Sequence, residues 1–245
     1  MLSSVGRMTM KINLTNPNPS LISIIEDPKQ IITLDANFLI APDRSPITRN
    51  GIRFEQFKEI WLDLIFSAFP NLAIHEAVYD ELVGISAQNY VDKKRNRTPS
   101  EIIIHEESSL SDSERFLRDT IESKIAPLTK YDPLLDNKDD RGEVKSLSYI
   151  AVKGLLYFAA HDNNAIQLIE KSEEWSTGLD NVQAIKMYEL IYYLHRNNLA
   201  KKDAMKMLYK YQYYLTNREK STNPNWGDFC LTMDRFYDSY FITLQ

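Results

Sequence analysis

The sequence has little glycine and little cysteine, and these shortages exclude several kinds of binding site. Of its 245 residues, 7 are Gly and 1 is Cys. The scattered glycines form neither G-x-G-x-x-G nor G-x-x-x-x-G-K-[ST], which argues against ordinary dinucleotide and P-loop binding. Cys230 alone forms neither an internal disulfide nor a multi-cysteine zinc site, so a reducing compartment is expected, and we assign a cytoplasmic location.

Long apolar runs are also lacking. No run reaches about 18 apolar residues, so we expect neither a transmembrane helix nor membrane association. The apolar fraction of 43%, with 11% aromatic residues, is enough for a sizeable core. With no repeat and no clear interdomain linker, we expect a lead-in segment over 1–29, a main domain over 30–215 with an insertion at about 85–135, and a C-terminal extension over 216–245 packed on that domain.

An excess of basic residues is missing as well. The chain has 34 acids against 29 bases, for a net charge of −5. A protein that binds nucleic acid through a strongly basic surface would carry more basic than acidic residues. Any contact with phosphate must therefore be local or pass through a metal cation.

Predicted strands alternate with predicted helices along the main domain. The apolar, β-prone segments 31–34, 71–74, 101–104 and 155–160 are expected to be strands, and 86–100 a polar loop. Helical periodicity covers 54–69, 75–85, 111–125, 139–154, 165–171 and 181–215, the last broken near Asn197–Asn198. This alternation predicts an α/β fold with a central parallel sheet covered on both faces.

Two aspartates directly follow predicted strands. Asp35 ends the run IITLD, and Asp162 follows the apolar segment LLYFAA and one histidine. In open α/β sheets, ligands bind beyond the carboxyl ends of the strands. Both acids are therefore expected at one edge of the sheet, although each Asp could instead be only a turn former or a helix cap.

Two glutamates lie on predicted helices. Glu143 shares a helix face with Leu147, Ile150 and Gly154, where a carboxylate is costly unless it is paired or bound to a metal. The alternative is a favourable contact with the helix dipole in the first turn. Glu81 lies at the border of an apolar stripe, where the alternative is a solvated flank.

The four acids suggest a particular kind of metal site. An all-oxygen cluster suits Mg²⁺ or Mn²⁺. The four histidines form no H-E-x-x-H motif, so a zinc site is not expected.

Four sequence blocks, in order from about Ile31 to about Leu215, resemble the PIN-domain family of metal-dependent nucleases. The blocks are IITLDANFLI, HEAVYDELV, DRGEVKSLSYIA and LYFAAHDNNAIQLI. The resemblance implies a three-layer α/β/α sandwich with a central parallel sheet, an extra helical C-terminal part and a last strand near 170–177. It assigns catalysis and the binding of one or two Mg²⁺ or Mn²⁺ ions to Asp35, Glu81, Glu143 and Asp162, with Asn37 orienting a water or phosphate.

The same resemblance implies an endoribonuclease that hydrolyses RNA phosphodiester bonds. It also allows a toxin role with an antitoxin-like protein partner, and a homodimer. Two basic segments are candidates for guiding RNA, the alternative being solvated loops: Lys93, Lys94, Arg95 and Arg97, and Arg44, Arg49 and Arg53. Tyrosines at the helical end could stack on bases or, more commonly, fill a core or interface: Tyr188, Tyr192, Tyr193, Tyr209, Tyr211, Tyr213 and Tyr214.

Two other functions compete with this one. The chain could be a catalytically inactive PIN-like module that binds RNA or protein. It could also be a phosphatase of the haloacid dehalogenase type, but that chemistry needs Asp-x-Asp after the first strand. Asp35-Ala36-Asn37 lacks the second acid.

Overall fold

A computed structural model describes residues 11–44, 47–48, 51–82 and 85–242 of the chain. Its strands are β1 (Ile32–Leu34), β2 (Leu72–His75), β3 (Ile103–His105), β4 (Tyr157–Ala160) and β5 (Gln183–Lys186). Its α-helices up to the middle of the chain are α1 (Pro19–Glu26), α2 (Phe54–Phe57), α3 (Asp63–Ala68), α4 (Glu76–Glu81), α5 (Ile85–Arg95), α6 (Asp112–Ile125) and α7 (Arg141–Val152). Those that follow are α8 (Asn163–Glu170), α9 (Ser172–Trp175), α10 (Met187–Arg196), α11 (Lys202–Tyr213), α12 (Asn217–Thr222) and α13 (Trp226–Ile242).

The strands form one parallel sheet in the order β3-β2-β1-β4-β5. Strand β1 is central, and Ile32 pairs with Leu72 on one side and Tyr157 on the other. Because every pair is parallel, the carboxyl ends of the strands share one edge of the sheet. The predicted α/β fold with a central parallel sheet is confirmed.

The central strand of this sheet is buried on both of its faces. Ile32, Thr33 and Leu34 of β1 are all fully buried, although successive residues of a strand point to opposite faces. Helix α7 packs on β2, and α10 packs on β5. The arrangement is compatible with the expected three-layer sandwich.

The loop predicted over 86–100 is wrong for its first part, because α5 occupies Ile85–Arg95. Its polar sequence hides the helix, yet Ala87, Tyr90 and Val91 are buried at spacings of three and four residues. Three basic residues lie in its last turn, where positive charge interacts favourably with the helix dipole. The basic residues of this segment therefore stand on or just after a helix.

The last strand expected near 170–177 is also wrong. That segment contains the end of α8 and helix α9, while β5 lies at Gln183–Lys186. In the described part of the chain, β5 is an edge strand that pairs with β4 alone, and its first residue is exposed. The weak apolar pattern and the helical pattern that follows it explain why this strand escaped prediction. The predicted break between α10 and α11 is confirmed, with Asn198 at a positive φ of 54°.

The lead-in segment contains helix α1, which was not among the helices expected from the sequence. The Asn18 side chain caps α1 by accepting a hydrogen bond from Ser20 N, and Pro19 occupies the first turn. Asn18 Nδ2 also donates to Ala184 O and to Glu189 Oε2, both at 2.9 Å. Asn18 N donates to the Tyr237 hydroxyl, which joins this segment to β5 and to α13.

The tyrosines of the helical end mainly fill the core. Tyr188, Tyr192, Tyr209 and Tyr213 are buried almost completely. Tyr209 stacks on Phe229 with ring centroids 4.6 Å apart. These buried rings pack helices together and are not available to stack on bases. Among the described residues, no helix is long and apolar enough to cross a membrane.

Candidate functional site

Asp35 lies at the end of β1, as its position in the sequence predicts. It is 5% exposed. Its Oδ1 accepts a hydrogen bond from Ala36 N at 2.8 Å, and its Oδ2 accepts one from Asn37 Nδ2 at 2.7 Å. Burial and the nearby charge of Asp162 raise the pKa of Asp35 from 3.8 to about 6, against the opposing effect of these hydrogen bonds.

Asp162 lies beyond the neighbouring strand β4. Asp35 N donates to Ala159 O at 3.0 Å, which holds the ends of β1 and β4 together. The Asp162 side chain caps α8 by accepting a hydrogen bond from Asn164 N at 2.8 Å. Both strand-end aspartates thus act as caps, and their charges also interact at the same edge of the sheet.

Glu81 is the last residue of α4 and reaches across to the start of α7. Its Oε1 accepts a hydrogen bond from the backbone N–H of Gly142. Burial raises the pKa of Glu81 to about 7, with further contributions from Asp35 and Asp140, while Gly142 and Arg141 oppose the shift. Glu81 is therefore electrostatically linked to Asp35 across two different elements.

Glu143 is the most exceptional of the four acids. It lies in the first turn of α7 and is 7% exposed, and its Oε1 is buried without a hydrogen-bond partner. Burial raises the pKa of Glu143 well above its ordinary value of 4.5, and negative charges add to the shift, including those of Asp35, Asp162 and Glu81. A buried carboxylate oxygen without a partner is costly.

We call these four residues, Asp35, Glu81, Glu143 and Asp162, the acidic edge. Within the described part of the chain, none of them forms an ion pair with Lys, Arg or His. The nearby Arg141 side chain instead contacts Asp136 at 3.0 Å and Asp80 at 3.5 Å. The protein thus gathers negative charge at this edge, and the positive charge of Arg141 acts on Glu81 without a direct ion pair.

The donor chemistry of the acidic edge fits a divalent cation, but its side chains form no closed ligand cage. All four donors are carboxylates, the class that Mg²⁺ and Mn²⁺ prefer, and Glu143 Oε1 is an orphaned oxygen suited to a cation. In the described residues, no group of three or more His, Cys, Asp or Glu is close enough to hold a metal ion. The side chains would have to move to surround one.

Asn37 holds Asp35 in place. Its Nδ2 donates to Asp35 Oδ2 at 2.7 Å. The amide thereby fixes the orientation of the Asp35 carboxylate. The sequence predicted a contact with water or phosphate for Asn37, and the structure places its Nδ2 on Asp35.

Most of the basic residues singled out from the sequence have acidic partners. Lys94 Nζ lies 2.6 Å from Glu101 Oε2 and 4.9 Å from the ring centre of Phe66. Arg95 pairs with Glu106 and Arg97 with Glu101, whereas Lys93 is an exposed residue of α5.

The second basic segment also contains one residue with an acidic partner and one exposed residue. Arg44 pairs with the buried Glu219, and Arg53 is exposed. Arg49 lies outside the described residues.

A second polar group escaped sequence reasoning. His75 Nε2 lies 3.2 Å from Glu107 Oε1, and Arg118 contacts Glu107 at 3.1 Å and Glu122 at 2.6 Å. We call His75, Glu107, Arg118 and Glu122 the charge-paired cluster. Arg118 and Glu122 at i, i+4 on α6 carried a detectable signal, but their contact with Glu107 required the tertiary structure.

Gly142 belongs to the sequence block DRGEVKSLSYIA, and its contact with Glu81 is visible only in the structure. Gly142 stands beside Glu143, and its backbone N–H donates a hydrogen bond to Glu81 Oε1.

Comparisons of this chain with family models, with curated proteins and with solved structures gave no match. The PIN-like interpretation therefore depends on the sequence blocks and on the geometry of the acidic edge.

Proposed function

We propose that the chain is a PIN-like, Mg²⁺- or Mn²⁺-dependent endoribonuclease whose active site is the acidic edge. The observation that carries this proposal is Glu143, a buried carboxylate with an orphaned oxygen and no cationic partner. A positively charged ligand at this place would remove the cost of burying the carboxylate, and strongly perturbed pKa values cluster at functional sites. The four sequence blocks that resemble PIN domains place the same residues in the role of metal ligands.

Each acid has a distinct part in the proposed reaction. Asp35 and Asp162 would hold the cation from adjacent strand ends, and Glu81 and Glu143 would complete the set from two helices. A cation held by these four residues would supply the Lewis acidity and positive charge that phosphodiester hydrolysis needs. The expected products carry a 5′-phosphate and a 3′-hydroxyl, with Asn37 keeping Asp35 oriented throughout.

The contact with RNA is proposed to be local. The cation at the acidic edge would attract phosphate despite the net charge of −5. Of the basic residues expected to guide the strand, Lys93 and Arg53 are exposed, and Arg95 and Arg97 are exposed members of ion pairs. An antitoxin-like partner, a homodimer and the cytoplasmic location remain predictions.

Removing the charge of either strand-end aspartate tests the catalytic role. Asp35→Asn and Asp162→Asn should each lower the rate of Mn²⁺-dependent cleavage of single-stranded RNA by at least about a thousandfold, equivalent to about 4 kcal/mol of barrier. Asp139→Asn is a matched control, because Asp139 is exposed and lies near the start of α7. Cleavage at the wild-type rate by both strand-end variants would reject the proposal.

A second candidate function is binding without catalysis. It is favoured by the absence, from the described residues, of a ready-made group of metal ligands. Leu134 and Leu135, which are 95% and 75% exposed, would suit contact with a partner protein.

Thermal unfolding with increasing Mn²⁺ distinguishes the two functions. A functional site should stabilise the fold by about 2.7 kcal/mol when free Mn²⁺ is a hundred times its Kd. A melting temperature that is insensitive to millimolar Mn²⁺ would favour the binding module.

A further inference from the structure

Two adjacent acids of α4 contact two adjacent residues at the start of α7. Asp80 Oδ2 lies 3.5 Å from Arg141 Nη1, and Glu81 Oε1 accepts the N–H of Gly142. The first N–H groups of a helix have no partner within that helix. The Gly142 N–H is therefore satisfied by Glu81, and the end of α4 is fastened to the first turn of α7.

This contact leaves no room for a side chain at position 142. A Cβ built on Gly142 would lie 2.7 Å from Glu81 Oε2, 2.9 Å from Cδ and 3.0 Å from Oε1. The glycines at positive φ are Gly154 and Gly178 in the described part of the chain, so backbone conformation does not demand glycine at position 142. The reason for glycine at this position is the close approach of the Glu81 carboxylate.

We propose that Gly142 is a positioning residue, whose lack of a side chain allows Glu81 to dock at the start of α7 as a member of the acidic edge. Its consequence for metal binding rests on the proposed function, whereas the docking itself does not. The clashing atoms belong to the end of a flexible side chain. Gly142→Ala should therefore fold normally while displacing the Glu81 carboxylate.

Amide hydrogen exchange in the metal-free protein tests the docking directly. Because Glu81 is the partner of the residue-142 amide, Glu81→Ala should speed exchange at this amide by up to about tenfold, the effect of losing one hydrogen bond. Gly142→Ala should give a similar acceleration. The double variant should exchange no faster than Glu81→Ala alone, because both changes remove the same contact.

Gly227→Ala provides a matched control. Gly227 is the second residue of α13, as Gly142 is of α7, and its Cβ would lie 3.4 Å from the Asn225 side chain. This variant should leave exchange at residue 142 unchanged. Unaltered protection in Gly142→Ala, or accelerations that multiply in the double variant, would overturn the proposal.

Mn²⁺ affinity, measured by calorimetry, tests the consequence for the acidic edge. Gly142→Ala should weaken binding by about tenfold, as is typical when a group that orients a metal ligand is lost. In the Glu81→Ala background, the same change should have no further effect. If the wild-type protein binds no Mn²⁺, the proposed function fails, and the exchange measurements still decide the role of Gly142.

Discussion

The charge-paired cluster and the acidic edge treat buried carboxylates in opposite ways. In the cluster, burial would raise the pKa of Glu107, but His75 and Arg118 reverse the shift and hold this pKa below its ordinary value. At the acidic edge, burial raises the pKa of Glu143, and other acids increase the shift. The fold can neutralise a buried carboxylate, and at the acidic edge it does not.

A third buried acid follows the behaviour of the cluster. Glu219 is 3% exposed, and burial alone would raise its pKa. The backbone N–H of Thr216 and the Arg44 guanidinium instead lower the pKa of this carboxyl. Glu107 and Glu219 thus have positively charged partners that Glu143 lacks among the described residues, and in the proposed function a bound cation would supply that charge.

Removing the central cation of the charge-paired cluster should have the largest effect on stability. Arg118→Met leaves Glu122 without its cation and Glu107 with His75 alone, although the Arg118, Glu107 and Glu122 side chains keep 8–23% exposure. We expect a loss of about 2–4 kcal/mol in the free energy of unfolding, measured by urea denaturation. Arg115→Met is the matched control, because Arg115 is exposed on the same helix, and should change stability by less than about 0.5 kcal/mol. Equal effects of the two changes would break the comparison between paired and unpaired acids.

The positions of the acids near the sheet edge were easier to predict from the sequence than the contacts of the charge-paired cluster. Asp35 and Asp162 each follow an apolar strand, and Glu143 lies on the apolar face of a helix, so local patterns locate them. Glu107 precedes α6 and Arg118 lies on it, and no sequence periodicity encodes their contact. Local sequence patterns can predict which acids lie near a sheet edge. Which of these acids form ion pairs depends on tertiary packing.

The same distinction explains the errors in the fold. Strand β5 has four residues and a half-polar composition, so it gains its identity by pairing with β4. Helix α5 is mostly polar, and only its buried residues, Ala87, Tyr90 and Val91, show the helical spacing. Long apolar segments such as those of β1 and β4 were predictable, because burial on both faces imposes a continuous apolar pattern.

The pH dependence of stability should sharpen the comparison at the acidic edge. Asp35 has a pKa of about 6 in the folded protein and an ordinary value of 3.8. Because the folded value is raised, its stabilising contribution is complete below about pH 3.8 and is lost as the pH rises through 6. Two pKa units correspond to about 3 kcal/mol, so Asp35→Asn should become more stable relative to wild type, by about 2–3 kcal/mol, between pH 4 and 7.5.

The difference between the two proteins is the quantity to measure, with a chelator present. Burial lowers the pKa of His105 to about 4, so its contribution is lost as the pH falls below about 6.5, which opposes the effect of Asp35 in wild type. That contribution is common to both proteins and cancels. If the difference in stability between the two proteins does not change with pH, the pKa of Asp35 is not raised in the folded protein, and its negative charge must be compensated there.

The exposed ion pair between Arg95 of α5 and Glu106 should have the smallest effect on the free energy of unfolding. Arg95 and Glu106 lie 3.2 Å apart, but their side chains are 49% and 45% exposed. Solvent screens such a pair, so Arg95→Ala should lower the free energy of unfolding by less than about 0.5 kcal/mol. A loss above about 1 kcal/mol would mean that ion pairs stabilise this protein whether or not they are buried, and Arg118 would then not differ from Arg95.

The proposed guidance of RNA predicts a separate effect of Arg95→Ala on RNA binding, measured in the catalytically inactive Asp35→Asn background. There, the slope of log affinity against log salt concentration should fall in magnitude by about one. An unchanged slope would remove Arg95 from the RNA path, and its pairing with Glu106 would then account for its position on α5.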